Sequence, residues 1–431
     1  MTQRIGAATT YELRLYDRPL LRFTWFVDEF GEQDVRTIAL DADGLALLPP
    51  SLTINQSGEA VASWLKTRRI PKNRAFVDKV LAERGLSVAD TKGIMDVCRG
   101  LSTTDAFWVV PEGFEGSWTG YNLFSNELDP VLALVAYTGH TTSQMHAAGL
   151  STEWTTSGSY PKAWRRMGET LVLYKAGSPV FEGVANTDMG PWSEFFAAQV
   201  ADALGIAHVP YGLDRWHGRM ASTCELMNDD ETALVTHWDA FGRHGYADVV
   251  ATYASLGTEW LSFCVDMMVF DALICNTDRH VGNFGVLRRN CDGVWLRPAP
   301  LFDHNLALFP HDMPSDYATW PERATMLTPS DASISFDAVM GQLVTKKHHQ
   351  WARRLLDFKL KDHAVYPIGE ERLDALNRLL HAQARRLLVK EPQELGNIAR
   401  HFAREQDDAS APLLTQPRLS LDAGTFARIA L

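Results

Sequence analysis

Apolar residues recur along this chain with two periods. The stretches Tyr11–Tyr16, Arg22–Val27 and Thr37–Leu40 alternate with period two and predict strands, parted by turn signals such as Asp41-Ala42-Asp43-Gly44. From Ser63 the period lengthens. It predicts helices over Ala75–Glu83, closed by Gly85, over Val88–Cys98, and over Asp129–Tyr137. Alternation returns at Thr170–Gly177. Ser193–Gly205 then reads as an amphipathic helix capped by Ser193 and stopped by Gly205, with Phe196, Val200, Ala203 and Leu204 facing the core. Ala221–Met227 is strand-like. Thr258 can cap a long helix reaching about Cys275, and Phe284–Leu287, a turn at Asn290–Gly293 and Val294–Leu296 predict a hairpin. Helices are expected near Phe336–Thr345, His349–Lys359 and Glu370–Lys390, with Glu405–Pro412 as a linker to a tail. The sum is an α+β chain, with strands and helices mixed up to Asp303 and helices alone expected after it.

Composition narrows the class. With 431 residues and 46% apolar content the chain is long enough for two or three domains. A formal charge of −12 argues against direct nucleic-acid binding by this chain alone, because phosphate affinity needs surplus Lys and Arg. Five cysteines form no C-x-x-C pair, which suits a reducing cytoplasm. The first residues lack the apolar core of a signal peptide, and apolar runs such as Val131–Tyr137 are too short to span a bilayer, so no membrane association is expected. The Asp41–Gly44 segment fails as a calcium loop because Leu52 stands where the bidentate acid belongs. His348-His349 lacks metal-ligand spacing and reads as surface.

The candidate chemistry lies in Asn276-Thr277-Asp278-Arg279-His280-Val281-Gly282-Asn283 and, 20 residues beyond Asn283, in Asp303 of Ala299-Pro300-Leu301-Phe302-Asp303. An Asp and an Asn five residues apart in a loop, a hairpin, and then a second Asp make the layout of kinase phosphoryl transfer. The bland reading is a turn, since Asn and Asp are turn residues. The predicted hairpin distinguishes the two, because it can return Asp303 to the side of Asn283, as a shared metal needs. The chain contains neither a Walker A sequence nor G-x-G-x-x-G.

The string NTDRHVGNFG…APLFDHNLAL resembles the signature of the HipA-like kinases, bacterial serine/threonine kinases of toxin–antitoxin systems. It departs from eukaryotic kinases in carrying Asp303-His304-Asn305 where they carry Asp-Phe-Gly. Thr155-Thr156-Ser157-Gly158-Ser159-Tyr160-Pro161-Lys162 is similar to the family's phosphate loop, and the likeness spans residues 155–310. It implies a bilobal protein-kinase-like fold with an additional N-terminal α/β subdomain: 1–150 as that subdomain, 151–235 as a β-rich N-lobe, 236–400 as a helical C-lobe, and 401–431 as a tail. ATP and Mg are the implied cofactors. Asp278 becomes the base, Asn283 and Asp303 the metal ligands, and Lys175 the contact to the ATP phosphates. Thr155, Ser157, Gly158, Ser159 and Lys162 would cradle phosphate. Glu194 would hold Lys175, or else only complement a helix dipole. Met227 ends the strand expected to meet adenine. His280 would support the transferred group, or merely brace the loop. Matching on Gly158 and Lys162 puts Thr155 at the family's self-phosphorylated position, with Ser157 two residues along.

The resemblance further implies a protein substrate, such as an aminoacyl-tRNA synthetase or another translation protein, and a small DNA-binding antitoxin as partner. A pseudokinase acting through a partner and a magnesium-dependent hydrolase using Asp278, Asp303 and His280 are the other classes. The hydrolase lacks a third carboxylate at suitable spacing. Two segments keep open readings: the basic run Trp64–Arg74 is either a solvated helix end or a surface for an acidic partner, and Pro310–Pro329 either a connection or a surface receiving substrate.

Overall fold

The computed structural model of the chain describes residues 8–27, 33–141, 149–177, 189–242, 244–330 and 334–407. It is a mixed α+β structure with three antiparallel sheets. Strands β1 (Thr9–Leu15), β2 (Arg18–Val27), β3 (Gln33–Leu40) and β4 (Phe107–Pro111) form the first, in the order β3-β2-β1-β4. Period-two alternation buries Tyr11, Leu13 and Leu15 of β1 and Leu21, Phe23 and Trp25 of β2, which pack with Val61, Trp64 and Leu65 of the helix Gly58–Thr67. A second small core joins the helices Val77–Ala82, Thr91–Cys98 and Pro130–Thr138 to Trp154.

The second sheet holds β5 (Lys162–Met167), β6 (Thr170–Ala176), β7 (Gly212–Trp216) and β8 (Arg219–Glu225) in the order β5-β6-β8-β7, with the helix Gly190–Leu204 packed on β8. Ala133 and Tyr137 of the helix Pro130–Thr138 sit among Ala163, Tyr174, Ala176 and Ala221 of this sheet. The third sheet is β11 (Trp295–Pro298), β10 (Gly285–Arg289) and β9 (Thr232–Thr236). The remaining fold is helical. At its centre runs the helix Thr258–Ile274, buried on nearly every face of its last turns and surrounded by Tyr246–Leu256, Phe336–Leu343, Glu370–Leu388 and Leu395–Asp407. Among the described residues, no helix is long and apolar enough to cross a membrane.

Several sequence expectations need correction. Thr258 is the first helical residue and caps nothing; Gly257, at φ 120°, occupies the cap position. The helix before β7 begins at Gly190, with Pro191 in its first turn, so Ser193 is a buried helical residue and no cap. Strand β8 stops at Glu225, two residues short of Met227. The Trp64–Arg74 run is not uniformly solvated: Lys66 and Lys72 are exposed, but two of its arginines are buried. Its Arg68 is buried on Asp105 (2.6 Å), and its Arg74 is enclosed with Glu153. His348 is also buried: Nε2 meets Asp266 Oδ1 at 2.9 Å, and Nδ1 accepts from the Thr345 N–H at 2.9 Å. Pro310–Pro329 includes the short helices Pro314–Thr319 and Trp320–Arg323, with Trp320 stacked on Phe309 in the core. The expected linker starts inside the helix Leu395–Asp407; the rest of it and the tail beyond 407 lie outside the described residues.

Candidate active site

The long central helix ends at Cys275 in the left-handed conformation (φ 55°), and the chain turns back on the helix's one buried acid, Asp271. Asn276 Nδ2 donates to Asp271 Oδ1 at 2.8 Å, and its own Oδ1 accepts from the Asp278 N–H at 3.3 Å. Arg279 completes the brace. Its Nε meets Asp271 Oδ2 at 2.8 Å, while Nη1 donates to the carbonyls of Asn283 (2.5 Å) and Phe302 (2.7 Å). One buried guanidinium thus ties the 276–283 loop to the residue before Asp303. Asn283 Nδ2 donates to the Asp278 carbonyl at 2.9 Å, which leaves its Oδ1 as the atom able to accept or to coordinate. The β10–β11 hairpin returns the chain, and Asp303 takes φ 59° while its N–H donates to the Tyr211 hydroxyl at 3.1 Å. Asp278, His280, Asn283 and Asp303 all line one cavity of ≈ 560 Å³.

Lys175, on β6, enters the same cavity from the opposite wall. Its Nζ meets Glu194 Oε1 at 2.9 Å and also pairs with Asp303 Oδ1. The second oxygen of Glu194 accepts from the Ser222 hydroxyl. Glu194 therefore acts on Lys175 directly, and the helix-dipole reading is set aside. Burial would discharge Lys175, but the carboxylates of Asp303 and Glu194 overcome it and hold the ammonium charged. Burial likewise works against ionised Asp303, yet Lys175 and then Lys162 pull its pKa well below the usual carboxylate range. Asp278 moves the other way, raised by burial and by the nearby Asp303 charge.

The segment 155–162 forms the roof. Gly158 has φ 89°, a conformation that favours glycine, and the Lys162 ammonium lies directly against it. The N–H groups of Ser157, Gly158, Ser159 and Tyr160 donate to no described residue, and consecutive free N–H groups beside a left-handed glycine are a nest for anions. Ser157 and Ser159 are exposed, whereas the Thr155 hydroxyl donates to the Leu101 carbonyl at 2.7 Å. Lys162 is the register partner of Lys175. Burial, and then the Lys175 charge, lowers its pKa to about 7. Met227 lies with Tyr211, Ser222 and Cys224 around a smaller cavity of ≈ 160 Å³ that shares Thr155, Lys162, Lys175 and Asp303 with the larger one. His280 Nδ1 accepts from the Gly282 N–H at 3.0 Å, the bracing role, while its ring faces the cavity.

Sequence reasoning missed Arg279. The signal was present: Asp271 sits inside the apolar run Val269–Ile274, where an acid requires a cation, and Arg279 is eight residues on. Among the described residues no three His, Cys, Asp or Glu side chains gather as a metal cage. Mg²⁺ does not need one, since it takes one or two carboxylates together with phosphates and water. An ionised Asp303 and the Asn283 amide oxygen are hard donors of that kind.

The architecture resembles that of a solved structure. HipA of Shewanella oneidensis MR-1, from its toxin–antitoxin complex with HipB and operator DNA, superposes with a TM-score of 0.54 at 12% identity, over 90% of this chain and 99% of that one. The Helicobacter pylori proinflammatory kinase CtkA aligns with a TM-score of 0.43 at 17% identity, over 58% of this chain and 94% of that one. No family model matches the chain, and no curated protein matches it by sequence. The chain is therefore similar in fold to HipA.

Proposed function

We propose that this chain is an ATP- and magnesium-dependent serine/threonine protein kinase of the HipA-like type. The observation that carries the reading is Lys175 held between Glu194 and Asp303 in the cavity that also receives Asp278 and Asn283. A hydrolase reading lacks a third carboxylate at suitable spacing and leaves the 155–162 turn unexplained, and a pseudokinase has no need of the whole set. In this reading residues 151–235 are the N-lobe, 236–400 the C-lobe, and 1–150 an added subdomain, with the cavity between them as the cleft.

Each group then has a task. The free N–H groups of the 157–160 turn and the Lys162 ammonium receive the outer phosphates, and Lys175 neutralises the inner ones. Asn283 and Asp303 would hold magnesium, which supplies positive charge against the charge building on the transferring phosphoryl group. Asp278 orients the acceptor hydroxyl and takes its proton. A carboxyl with a raised pKa is the better base for that step. Adenine would lie in the smaller cavity by Met227.

The test is transfer of labelled phosphate from MgATP to protein. Asp278→Asn is expected to keep ATP affinity and lose transfer by about 10²–10⁴-fold, whereas Asp303→Ala should lose both. Free phosphate without phosphoprotein would mean a hydrolase, and ATP binding with neither product a pseudokinase. HipA assembles with HipB on DNA. By analogy a small DNA-binding antitoxin is proposed as partner here, with a cytoplasmic translation protein as substrate. Phosphoproteomics after induced expression, controlled by Asp278→Ala, identifies that substrate.

A further inference from the structure

Arg74 lines neither cavity, yet it grips the 155–162 segment before, within and after its turn. It belongs to the N-terminal region, in the turn that precedes the helix Val77–Ala82, and its side chain is completely enclosed. Nη1 donates to the carbonyls of Glu153 (3.0 Å) and Thr156 (3.1 Å). Nη2 donates to the Lys162 carbonyl at 2.8 Å and pairs with the Glu153 carboxylate. The next residue adds a fourth point, because the Ala75 N–H donates to the Ser159 carbonyl at 2.9 Å. Glu153 is itself fixed, accepting from the Trp164 N–H at 3.1 Å and the Thr152 hydroxyl at 3.0 Å.

A turn of Ser, Gly and Ser has little reason of its own to hold one shape, since every fixed residue loses backbone entropy. Its carbonyls are the groups that Arg74 and Ala75 engage. With those oxygens turned toward the N-terminal region, the N–H groups of Ser157 to Tyr160 are left free, as an anion requires. A buried Arg–Glu pair adds little to stability over an apolar filling, so its value here lies in fixing a geometry.

We propose that Arg74 is a positioning residue that holds the 155–162 turn in its phosphate-accepting form, so that nucleotide affinity is set from the N-terminal region. The proposal rests on the kinase reading for its consequence, though not for its geometry. Only a five-donor planar fork reaches all these carbonyls together, so lysine cannot substitute.

Arg74→Lys retains a charge for Glu153 and gives the folded variant to study. Tyr11→Phe is the control: it removes another hydrogen bond of the same region, Tyr11 to Asp96 at 2.5 Å, far from the turn. Two readouts are taken on the full-length protein, well below each variant's melting temperature. Hydrogen exchange of peptides reporting the hydrogen-bonded amides of Ala75, Thr155 and Thr156, without nucleotide, should speed up about tenfold in Arg74→Lys and stay unchanged in Tyr11→Phe. The KM for ATP should rise about tenfold while kcat changes less than threefold. Unchanged exchange and KM in Arg74→Lys, or equal changes in Tyr11→Phe, would overturn the proposal. A fall in kcat at constant KM would do so too. If the wild type binds no ATP, the kinase reading fails, and the exchange measurement still decides the clamp.

Discussion

Lys162 and Lys175 stand opposite each other on β5 and β6, but of the two only Lys175 is ion-paired with carboxylates. Lys162 is thus a buried amine whose proton is held weakly, with a pKa of about 7, until an anion arrives. Phosphate oxygens would favour the charged form and raise that pKa. The sign follows: below pH 7 the ammonium is already present, and above it ATP must bring a proton with it. Affinity for MgATP should therefore be greatest below about pH 7 and fall up to tenfold per unit as pH rises above it. Calorimetry between pH 6 and 9 measures this, and Lys162→Met should give weaker binding with a flatter profile. An equally steep profile in Lys162→Met would assign the titration to another group. The same residue scale bears on self-phosphorylation. Because the Thr155 hydroxyl is already bonded to Leu101 and Ser157 is exposed, phosphate should appear first on Ser157. Mass spectrometry after incubation with MgATP, with Asp278→Ala as the blank, would count against this if it found Thr155 alone modified.

Among elements, Arg279 connects three: the end of the central helix through Asp271, the 276–283 loop through the Asn283 carbonyl, and the segment before Asp303 through the Phe302 carbonyl. Arg279→Ala leaves Asp271 buried without its cation, which should cost about 3–5 kcal/mol. Urea denaturation reads that loss, and a variant within about 1 kcal/mol of the wild type would contradict the brace. This residue also marks where sequence stops being legible. The Asp278–Asn283–Asp303 spacing was readable because a loop and a two-stranded hairpin are local structures, whereas the pairing of Lys175 with Glu194 stayed open against a helix-dipole role until the strand and helix were packed together. The Arg74–Glu153 pair spans 79 residues, and nothing local announces it. Strand β9 went unseen for a similar reason: five residues after a turn become a strand only when β10, about fifty residues later, supplies the partner. Cap signals misled at Thr258 and Ser193, where a preceding glycine and a proline set the helix starts.

At the scale of the molecule the first 150 residues are fastened to everything else. Besides Arg74 on Glu153, the Thr103 carbonyl accepts from Asn228 Nδ2 (2.9 Å), the Thr104 carbonyl from the Leu234 N–H (2.8 Å), and the Ala46 carbonyl from Arg288 Nη2 (2.9 Å). Ala133 and Tyr137 cover the apolar face of the β5–β8 sheet. A cut at residue 150 uncovers that face and strands Glu153 without its cation. The second loss alone costs about 3–5 kcal/mol, against a total stability of about 5–15 kcal/mol for a typical domain. Residues 151–431 expressed alone should therefore be aggregated or partly unfolded, and co-expression with 1–150 should restore a soluble complex. Size-exclusion chromatography and circular dichroism of the two preparations make the comparison. A monomeric 151–431 fragment melting at the temperature of the whole chain would mean that the N-terminal region is an appendage, and that the nucleotide turn keeps its shape without Arg74.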